Sequence, residues 1–435
     1  FWWDEMFTLR DTAFPFTFRY LVDLNPVSFI LIHMVFNIFH VNEWNARVVP
    51  ALIGIATIPF LYFPVRKIFG SATALVVSLS LAIAPWHIYW SQSARFYTAL
   101  LLFYSLGMLY FYIGLEEDRL GYLLMSLVWF GLAVNERLTA LLFVPVITAY
   151  IGLLVILPIE KPRGFNVRNL AVFIIPGAIG AVGLGWKFLI NPYIWFKMFG
   201  WTNSNPIWIM GGVVFYVGVP VVCIALLAAL YKISQKDRAG LYFLLGAVVP
   251  LIAVMMLSLI QYSANRYVFM TLTSWVILSS IAAIEVLKKT AKRDKLLSMA
   301  VLVVLIVVPM TENMLYYKYQ NGNRDNWKQA FALVDKLSGE KDIIITSNAL
   351  IADYYLEENT ISLETLDLNT LYKYDERIWF VEDMNVEDKW PEAHEWFKNH
   401  AQLVENLDVH VRARNFKMRI YMYDQKYPSH MQVSD

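Results

Sequence analysis

Charged residues and cysteine are both scarce in this sequence. Asp, Glu, Lys and Arg make up 16% of its 435 residues, whereas a soluble domain usually carries about 25%. Cys223 is the single cysteine, which excludes a disulfide within the chain and a cysteine metal cluster. The net charge is +1 and no basic run is interleaved with aromatic residues, which excludes a nucleic-acid partner.

Apolar residues are abundant instead: 58% of the chain is hydrophobic and 16% is aromatic. A helix that crosses a bilayer needs about 20 apolar residues, and ten runs approach or reach this length. The ten runs are 47–63, 71–90, 96–115, 120–134, 138–159, 169–190, 207–231, 239–260, 267–287 and 296–310. A further stretch, 26–40, is interrupted by polar residues and is predicted to be a half-buried or interfacial helix. The sequence therefore predicts an α-helical polytopic membrane protein.

The loops between these runs differ in positive charge. One alternating set of loops contains fourteen Lys and Arg residues and the opposite set contains five. Because cytoplasmic loops carry the excess, residues 1–46 and the segment from about 312 are predicted to lie outside the cytoplasm. An outside start before an inward-running span leads us to expect a further helix ahead of Phe1.

The chain changes character after residue 311. We predict a transmembrane domain over 1–311, with 1–46 as its first outer loop, and a small extracytoplasmic α/β domain over 312–435. Residues 325–339 have apolar side chains at helical spacing. Strands are predicted at 342–347, 377–383 and 417–424. By default, such a domain is a packing or docking module without chemistry of its own.

Two charged stretches lie among apolar residues. Asp4 and Glu5 are adjacent acids in FWWDEMF. A carboxylate in such a setting can serve as a general base, and the pair can hold Mg²⁺, Mn²⁺ or Ca²⁺; the alternative is that both are solvated loop acids. The second stretch is NER at 135–137, in which we expect the opposite charges to pair with each other.

Arginines also stand at two predicted helix ends on the outer side. Gln92, Arg95 and Tyr97 follow the aromatic stretch PWHIYW, and Arg266 and Tyr267 follow QYSAN. A guanidinium at the lipid–water boundary can hold a phosphate through two hydrogen bonds. The alternative is that these arginines only extend towards lipid head groups.

Five stretches together resemble a known family. The acid pair stands where the family has an aspartate motif in its first outer loop. Residues 24–54 are similar to its "HPPLYY…RLPSALFG" stretch, and residues 65–101 to "GRRLFG…ALSPFHLYYSQEARMYALL". QYSANRYVF and NRDNWKQAFALV match later motifs. The family is that of GT-C-fold membrane glycosyltransferases, in the group of protein O-mannosyltransferases and the aminoarabinose transferase of lipid A. The sequence departs from the pattern at Leu24-Asn25-Pro26, which replaces His-Pro-Pro, and at Ser93, which replaces a frequent glutamate.

The resemblance implies an activity at the outer membrane face. The donor would be a sugar on polyprenyl or dolichyl phosphate, and the acceptor a hydroxyl of a protein, a lipid or a polysaccharide. It implies an inverting displacement in which Asp4 is the base and Glu5 supports it or a cation. Arg95 and Arg266 would hold the donor phosphate, and the secondary contacts would be Tyr97, Tyr267 and Gln92. All these groups are then expected around one pocket.

Two other functions fit part of the sequence. A transporter or flippase of lipid-linked glycans would use the same arginines without catalysis, but transporters usually place polar groups near the bilayer midplane. A receptor or assembly subunit would use the outer domain and would leave the acid pair without a role.

Overall fold

A computed structural model describes residues 1–23, 25–190, 205–290, 295–319, 324–356, 360–383, 385–410 and 415–425. The described chain divides into two compact units. The membrane unit is residues 12–311, and the C-terminal unit joins residues 1–11 to 312–435. The units divide between residues 311 and 312, and residues 1–11 group with the C-terminal domain.

The N-terminal half of the chain is helical. Its helices are α1 (Trp3–Thr12), α2 (Phe18–Val22), α3 (Val27–Ile38), α4 (Glu43–Phe69), α5 (Ser71–Ile83), α6 (Pro85–Ser91), α7 (Tyr97–Glu117), α8 (Leu120–Glu136), α9 (Phe143–Ile156) and α10 (Val167–Ile190). A 3-10 turn, Leu138–Leu142, leads into α9.

The rest of the membrane unit continues the pattern. Its helices are α11 (Pro206–Val217), α12 (Val219–Ser234), α13 (Arg238–Leu257), α14 (Leu272–Thr290) and α15 (Lys295–Tyr319), with a 3-10 helix at Asn265–Thr271. Each of the ten predicted apolar runs is thus helical. By length and composition, five described helices can cross a membrane, or up to seven when each of two bent pairs is one span. The multi-pass helical prediction is confirmed, whereas the count of ten spans stays a prediction.

Two of the predicted spans are bent. The run 71–90 bends by 59° between α5 and α6, where Pro85 opens the second helix. The run 207–231 bends by 96° between α11 and α12. Gly218 lies at this second bend with φ of 97°, a conformation that side-chain-bearing residues rarely adopt.

Helix α7 forms the core of the membrane unit and separates its two ends. Most of its residues are buried, and its 21 residues extend over about 31 Å. Around its C-terminal end, basic residues from the predicted cytoplasmic loops pair with acids: Lys67 with Glu117, Arg168 with Asp118 and Arg238 with Glu116. Tyr97, beside Arg95, lies at the opposite end of α7. Basic residues from three of the positively charged loops therefore lie at one end of the membrane unit, in agreement with the charge count; which end faces the cytoplasm stays a prediction.

The C-terminal domain is α/β, as predicted. It contains α16 (Trp327–Leu337), α17 (Ala349–Tyr355), α18 (Val386–Lys389), α19 (Pro391–His400), β1 (Ile343–Thr346), β2 (Thr360–Ser362), β3 (Ile378–Glu382), β4 (Gln402–His410) and β5 (Asn415–Tyr423), with 3-10 turns at Leu363–Thr365 and Leu368–Lys373. The sheet order is β2-β1-β3-β5-β4; β1 is parallel to β2 and β3, and β5 is antiparallel to β3 and β4. Phe380 of β3 stacks on Phe397 of α19 with centroids 4.0 Å apart, so that α19 covers the sheet.

Candidate functional site

Arg95 lies in the short turn between α6 and α7. The turn is fixed by backbone and hydroxyl contacts: Arg95 N–H donates to the Ser93 carbonyl at 2.7 Å, and Ser93 Oγ donates to the Tyr89 carbonyl at 2.8 Å. The Arg95 guanidinium lies 4.9 Å from the Phe96 ring centroid. Gln92, a half-buried residue, ends helix α6 in the same turn. The turn thus holds Arg95 in place through its main chain.

Arg137 is the centre of the site, although it was not among the predicted phosphate contacts. Its Nη1 donates to the Tyr97 hydroxyl at 2.9 Å. Its guanidinium carbon lies 4.2 Å from the Tyr267 ring centroid and 5.0 Å from that of Phe96. Because Arg95 contacts the same Phe96 ring, the two guanidinium groups share one aromatic neighbour.

Arg266 joins the group from the 3-10 helix Asn265–Thr271. Its guanidinium carbon lies 5.9 Å from the Tyr267 centroid, the ring that also contacts Arg137. We call Arg95, Arg137 and Arg266, with Phe96, Tyr97 and Tyr267, the arginine cluster. Three of its members, Arg95, Arg137 and Arg266, are half-buried. The structure therefore brings together four of the five predicted phosphate contacts, and Gln92 lies on the turn that carries Arg95.

The expected pair between Glu136 and Arg137 is wrong. Glu136 is buried and accepts hydrogen bonds from Ser28, through the backbone N–H at 2.9 Å and through Oγ at 2.5 Å. Asn135 Oδ1 accepts from the Val27 N–H at 3.2 Å. Residues 135 and 136 therefore satisfy donors at the start of α3, and Arg137 is directed to the aromatic rings. A single sequence holds no signal for these contacts, since each joins positions 108 apart.

The predicted acid pair opens helix α1, in the C-terminal unit. Acids in a first turn complement the helix dipole. Asp4 and Glu5 are both buried, and Glu5 Oε1 lies 3.9 Å from Arg324 Nη1. Glu5 Oε2 accepts from the Trp2 N–H at 3.3 Å. This buried ion pair, together with an edge contact between the rings of Phe1 and Tyr354 at 4.8 Å, explains why residues 1–11 group with the C-terminal domain.

A shared cation at Asp4 and Glu5 fits this backbone poorly. Adjacent side chains on a helix point about 100° apart, so that one ion is expected to contact Asp4 or Glu5 rather than both. Glu5 already pairs with Arg324. The predicted roles of Asp4 and Glu5 stay predictions.

Another group in the described residues has the geometry of metal ligands. Ligand atoms of Glu382, Glu387 and His394 all lie within 4.8 Å of one another. Arg419 Nη1 lies between the two acids, 3.1 Å from Glu382 Oε1 and 2.7 Å from Glu387 Oε1. The group is compatible with a divalent cation, but the guanidinium already supplies positive charge there. Nothing in the sequence pattern had indicated it.

Comparisons with known proteins agree with the resemblance. The family model described as dolichyl-phosphate-mannose-protein mannosyltransferase matches residues 23–175, which include Arg95 and Arg137. No curated protein matches the chain.

Solved structures with a similar fold come from two groups. ArnT from Cupriavidus metallidurans, in the apo state, is 14% identical with a TM-score of 0.56; the match covers 92% of this chain and 87% of ArnT. The same protein bound to undecaprenyl phosphate has a TM-score of 0.52. The oligosaccharyltransferase of Archaeoglobus fulgidus, in complex with Zn and sulfate, is 12% identical with a TM-score of 0.56, over 90% of this chain and 64% of that one. The chain is therefore a multi-pass membrane protein with the GT-C fold, and the predicted resemblance to the mannosyltransferase and aminoarabinose transferase group is confirmed.

Proposed function

We propose that this protein transfers a sugar from a polyprenyl or dolichyl phosphate to a hydroxyl group of an acceptor at the outer membrane face. The observation that carries the proposal is the arginine cluster at one end of the membrane unit. The family model names a dolichyl-phosphate-mannose enzyme. ArnT has been solved with undecaprenyl phosphate, and the archaeal oligosaccharyltransferase AglB with dolichol-phosphate. These likenesses support a lipid-linked donor.

The arginine cluster suits the leaving group of such a reaction. When the bond between the anomeric carbon and the phosphate oxygen breaks, the electron pair leaves with the lipid phosphate and its negative charge grows. Guanidinium groups held in place before the reaction stabilise that charge without reorganisation. The Arg137 guanidinium is held by the Tyr97 hydroxyl and the Tyr267 ring, so it meets this requirement, and the Arg95 guanidinium lies against the Phe96 ring.

Asp4 is the proposed base. Its carboxylate takes the proton of the acceptor hydroxyl, whose oxygen attacks the anomeric carbon from the face opposite the phosphate and so inverts it. Glu5 is assigned a supporting task, since its ion pair with Arg324 ties α1 to the segment that precedes α16. A positioned base contributes roughly 10²–10⁴-fold in rate.

The test is release of polyprenyl phosphate from a panel of labelled polyprenyl-phosphate sugars by the full chain in lipid vesicles. We expect the wild type to release it with sugar appearing on an acceptor, and Asp4→Asn to lose about 10²–10⁴-fold in kcat while it still binds donor. Asp11→Asn is the matched control, because Asp11 lies on the same helix but is partly exposed and contacts Arg10. Full turnover in Asp4→Asn would refute the base assignment.

The flippase alternative gives a different outcome in the same vesicles. Labelled donor would then cross the bilayer with its sugar–phosphate bond intact, and neither Asp4→Asn nor Asp11→Asn would alter the rate. That result would overturn the enzymatic proposal but would still be consistent with phosphate binding at the arginine cluster.

A further inference from the structure

Helix α3 begins with unusual partners for its first N–H groups. The first N–H groups of any helix have no acceptor within the helix and need one from elsewhere. Pro26, at the N-cap of α3, supplies no side-chain acceptor. The acceptors come from the end of α8 instead: Asn135 Oδ1 for the Val27 N–H and Glu136 Oε1 for the Ser28 N–H.

The contact at Ser28 is strong by chemistry and by burial. Glu136 uses both carboxylate oxygens on one residue, and Ser28 and Glu136 are both buried, at 1% and 3% exposed. Both hydrogen bonds to Ser28 are lost together when the Glu136 carboxyl group is removed.

The other end of the same connection is the arginine cluster. Arg137 directly follows Glu136, leaves the helical conformation with φ of −163°, and contacts Tyr97 and Tyr267. Asn135 and Glu136 therefore bind the start of α3, and Arg137, the next residue, belongs to the arginine cluster. Helix α3 in turn carries His33, which is buried and whose Nδ1 lies 2.9 Å from the Thr12 carbonyl, at the end of α1.

We propose that Glu136 is a positioning residue that fixes α3 to the arginine cluster, so that a phosphate bound by Arg137 orders the start of α3. The identity of the phosphate rests on the proposed function, whereas the contact between Glu136 and Ser28 does not. Its consequence is that donor binding and the order of α3 are coupled: a lipid phosphate that restrains Arg137 restrains residue 136, and through it Val27 and Ser28.

Hydrogen–deuterium exchange of the full chain, with and without decaprenyl phosphate, tests this coupling. In the wild type we expect slow exchange in peptides over 25–38 and slower exchange still with the lipid phosphate. Glu136→Ala should raise exchange there by about ten- to a hundredfold, because two buried hydrogen bonds to Ser28 are lost together. It should also abolish the response of these peptides to the lipid, although Arg137 still binds it.

Three further variants distinguish a positioning role of Glu136 from a general loss of structure. Glu136→Gln keeps the shape and one acceptor oxygen, and should restore most of the protection. Ser126→Ala removes another buried contact of α8, the hydrogen bond from Ser126 Oγ to the Gly107 carbonyl, and should leave peptides 25–38 unchanged. The double variant Ser28→Ala/Glu136→Ala should lower the free energy of protection over 25–38 by less than the sum of the two single variants, because both substitutions remove the same interaction.

The outcomes distinguish this inference from the proposed function. If the lipid phosphate binds and Glu136→Ala leaves exchange over 25–38 and its lipid response unchanged, the inference is refuted and the proposed function stands. If no lipid phosphate binds to the wild type, the coupling and the proposed function both fall, and the binding measurement itself shows this. In kinetics, the inference predicts that Glu136→Ala lowers kcat more than it raises the donor KM.

Discussion

Arg137 in the membrane unit and Arg419 in the C-terminal domain are both half-buried arginines, but their neighbours differ in kind. Arg419 donates to Glu382 and Glu387, so its charge is compensated within the protein. Arg137 lies on the rings of Phe96, Tyr97 and Tyr267, and no carboxylate pairs with it in the part of the chain that the structure describes. Aromatic rings hold a guanidinium without cancelling its charge. On this difference we base the proposal that Arg137 binds an anion and that Arg419 stabilises its domain.

The largest expected effect comes from removing the compensated arginine. Arg419→Met leaves Glu382, which is fully buried, without its guanidinium. We expect the C-terminal domain to lose about 2–3 kcal/mol, less than the 3–5 kcal/mol typical of a broken buried pair because His394 still contacts Glu382. Thermal unfolding of the full chain measures the loss. Lipid phosphate affinity should not change, and a large drop in affinity would contradict the distinction between the two arginines.

Removing Arg137, whose charge is not compensated by a carboxylate within the described residues, should lower lipid phosphate affinity rather than thermal stability. Arg137→Ala is expected to weaken binding of decaprenyl phosphate by about 1.5–3 kcal/mol, the worth of a hydrogen bond to a charged group, with little change in thermal stability. Arg137→Lys should recover only part of the affinity, because an ammonium lacks the planar fork. Titration of the lipid phosphate gives the affinities. Arg168→Ala, at the opposite end of the membrane unit, is the control, since Arg168 pairs with Asp118; equal losses in both variants would indicate a nonspecific charge effect.

A smaller change tests how Arg137 is held. Tyr97→Phe removes the hydroxyl that accepts from Arg137 Nη1, and should weaken lipid phosphate binding by about 0.5–1.5 kcal/mol. Tyr104→Phe is a matched control: Tyr104 lies on the same helix, and its buried hydroxyl has no hydrogen-bond partner within the described residues. If both substitutions leave the affinity unchanged, the tyrosine hydroxyl does not orient Arg137.

The two regions should also differ in their response to pH. Arginine keeps its charge at any ordinary pH. In the C-terminal domain, burial and the neighbouring Asp383 raise the pKa of Asp325 to about 7. The folded domain therefore holds this proton more tightly than the unfolded chain, whose pKa is near 3.8. The resulting stability is complete below that pKa and is lost as the pH rises to about 7.

Substitution of Asp325 tests the sign of this effect. Asp325→Asn should flatten the fall in thermal stability between about pH 4 and pH 7. Asp335→Asn, an exposed position on α16, should leave that fall unchanged. An unchanged or steeper fall in Asp325→Asn would mean that the folded domain does not raise the pKa of this carboxyl.

Much of the fold followed from periodicity alone. The ten apolar runs are helices, and α16, β1, β3 and β5 lie within the predicted segments or overlap them. The two missed strands have clear reasons. β2 is only three residues long, and β4 is an edge strand with the polar sequence QLVENLDVH. Hydrophobicity also could not reveal that two runs are bent, although Pro85 and Gly218 were visible at the bends.

The site was predictable only in part. Arg95 and Arg266 were found because arginines beside apolar helix ends are costly and therefore informative. The predicted pairing of Arg137 with Glu136 is wrong, because Glu136 accepts hydrogen bonds from Ser28 instead. Arg324, the partner of Glu5, is likewise more than 300 positions away from it. Such contacts are properties of the fold, and local sequence does not contain them.

A structure of the full chain with decaprenyl phosphate tests the central claim most directly. We predict phosphate density within hydrogen-bonding distance of Arg137 and of Arg95 or Arg266, with the lipid chain leaving along the membrane unit. Phosphate bound at another site, with Arg137 still resting on Tyr97 and Tyr267 and no anion beside it, would contradict the account.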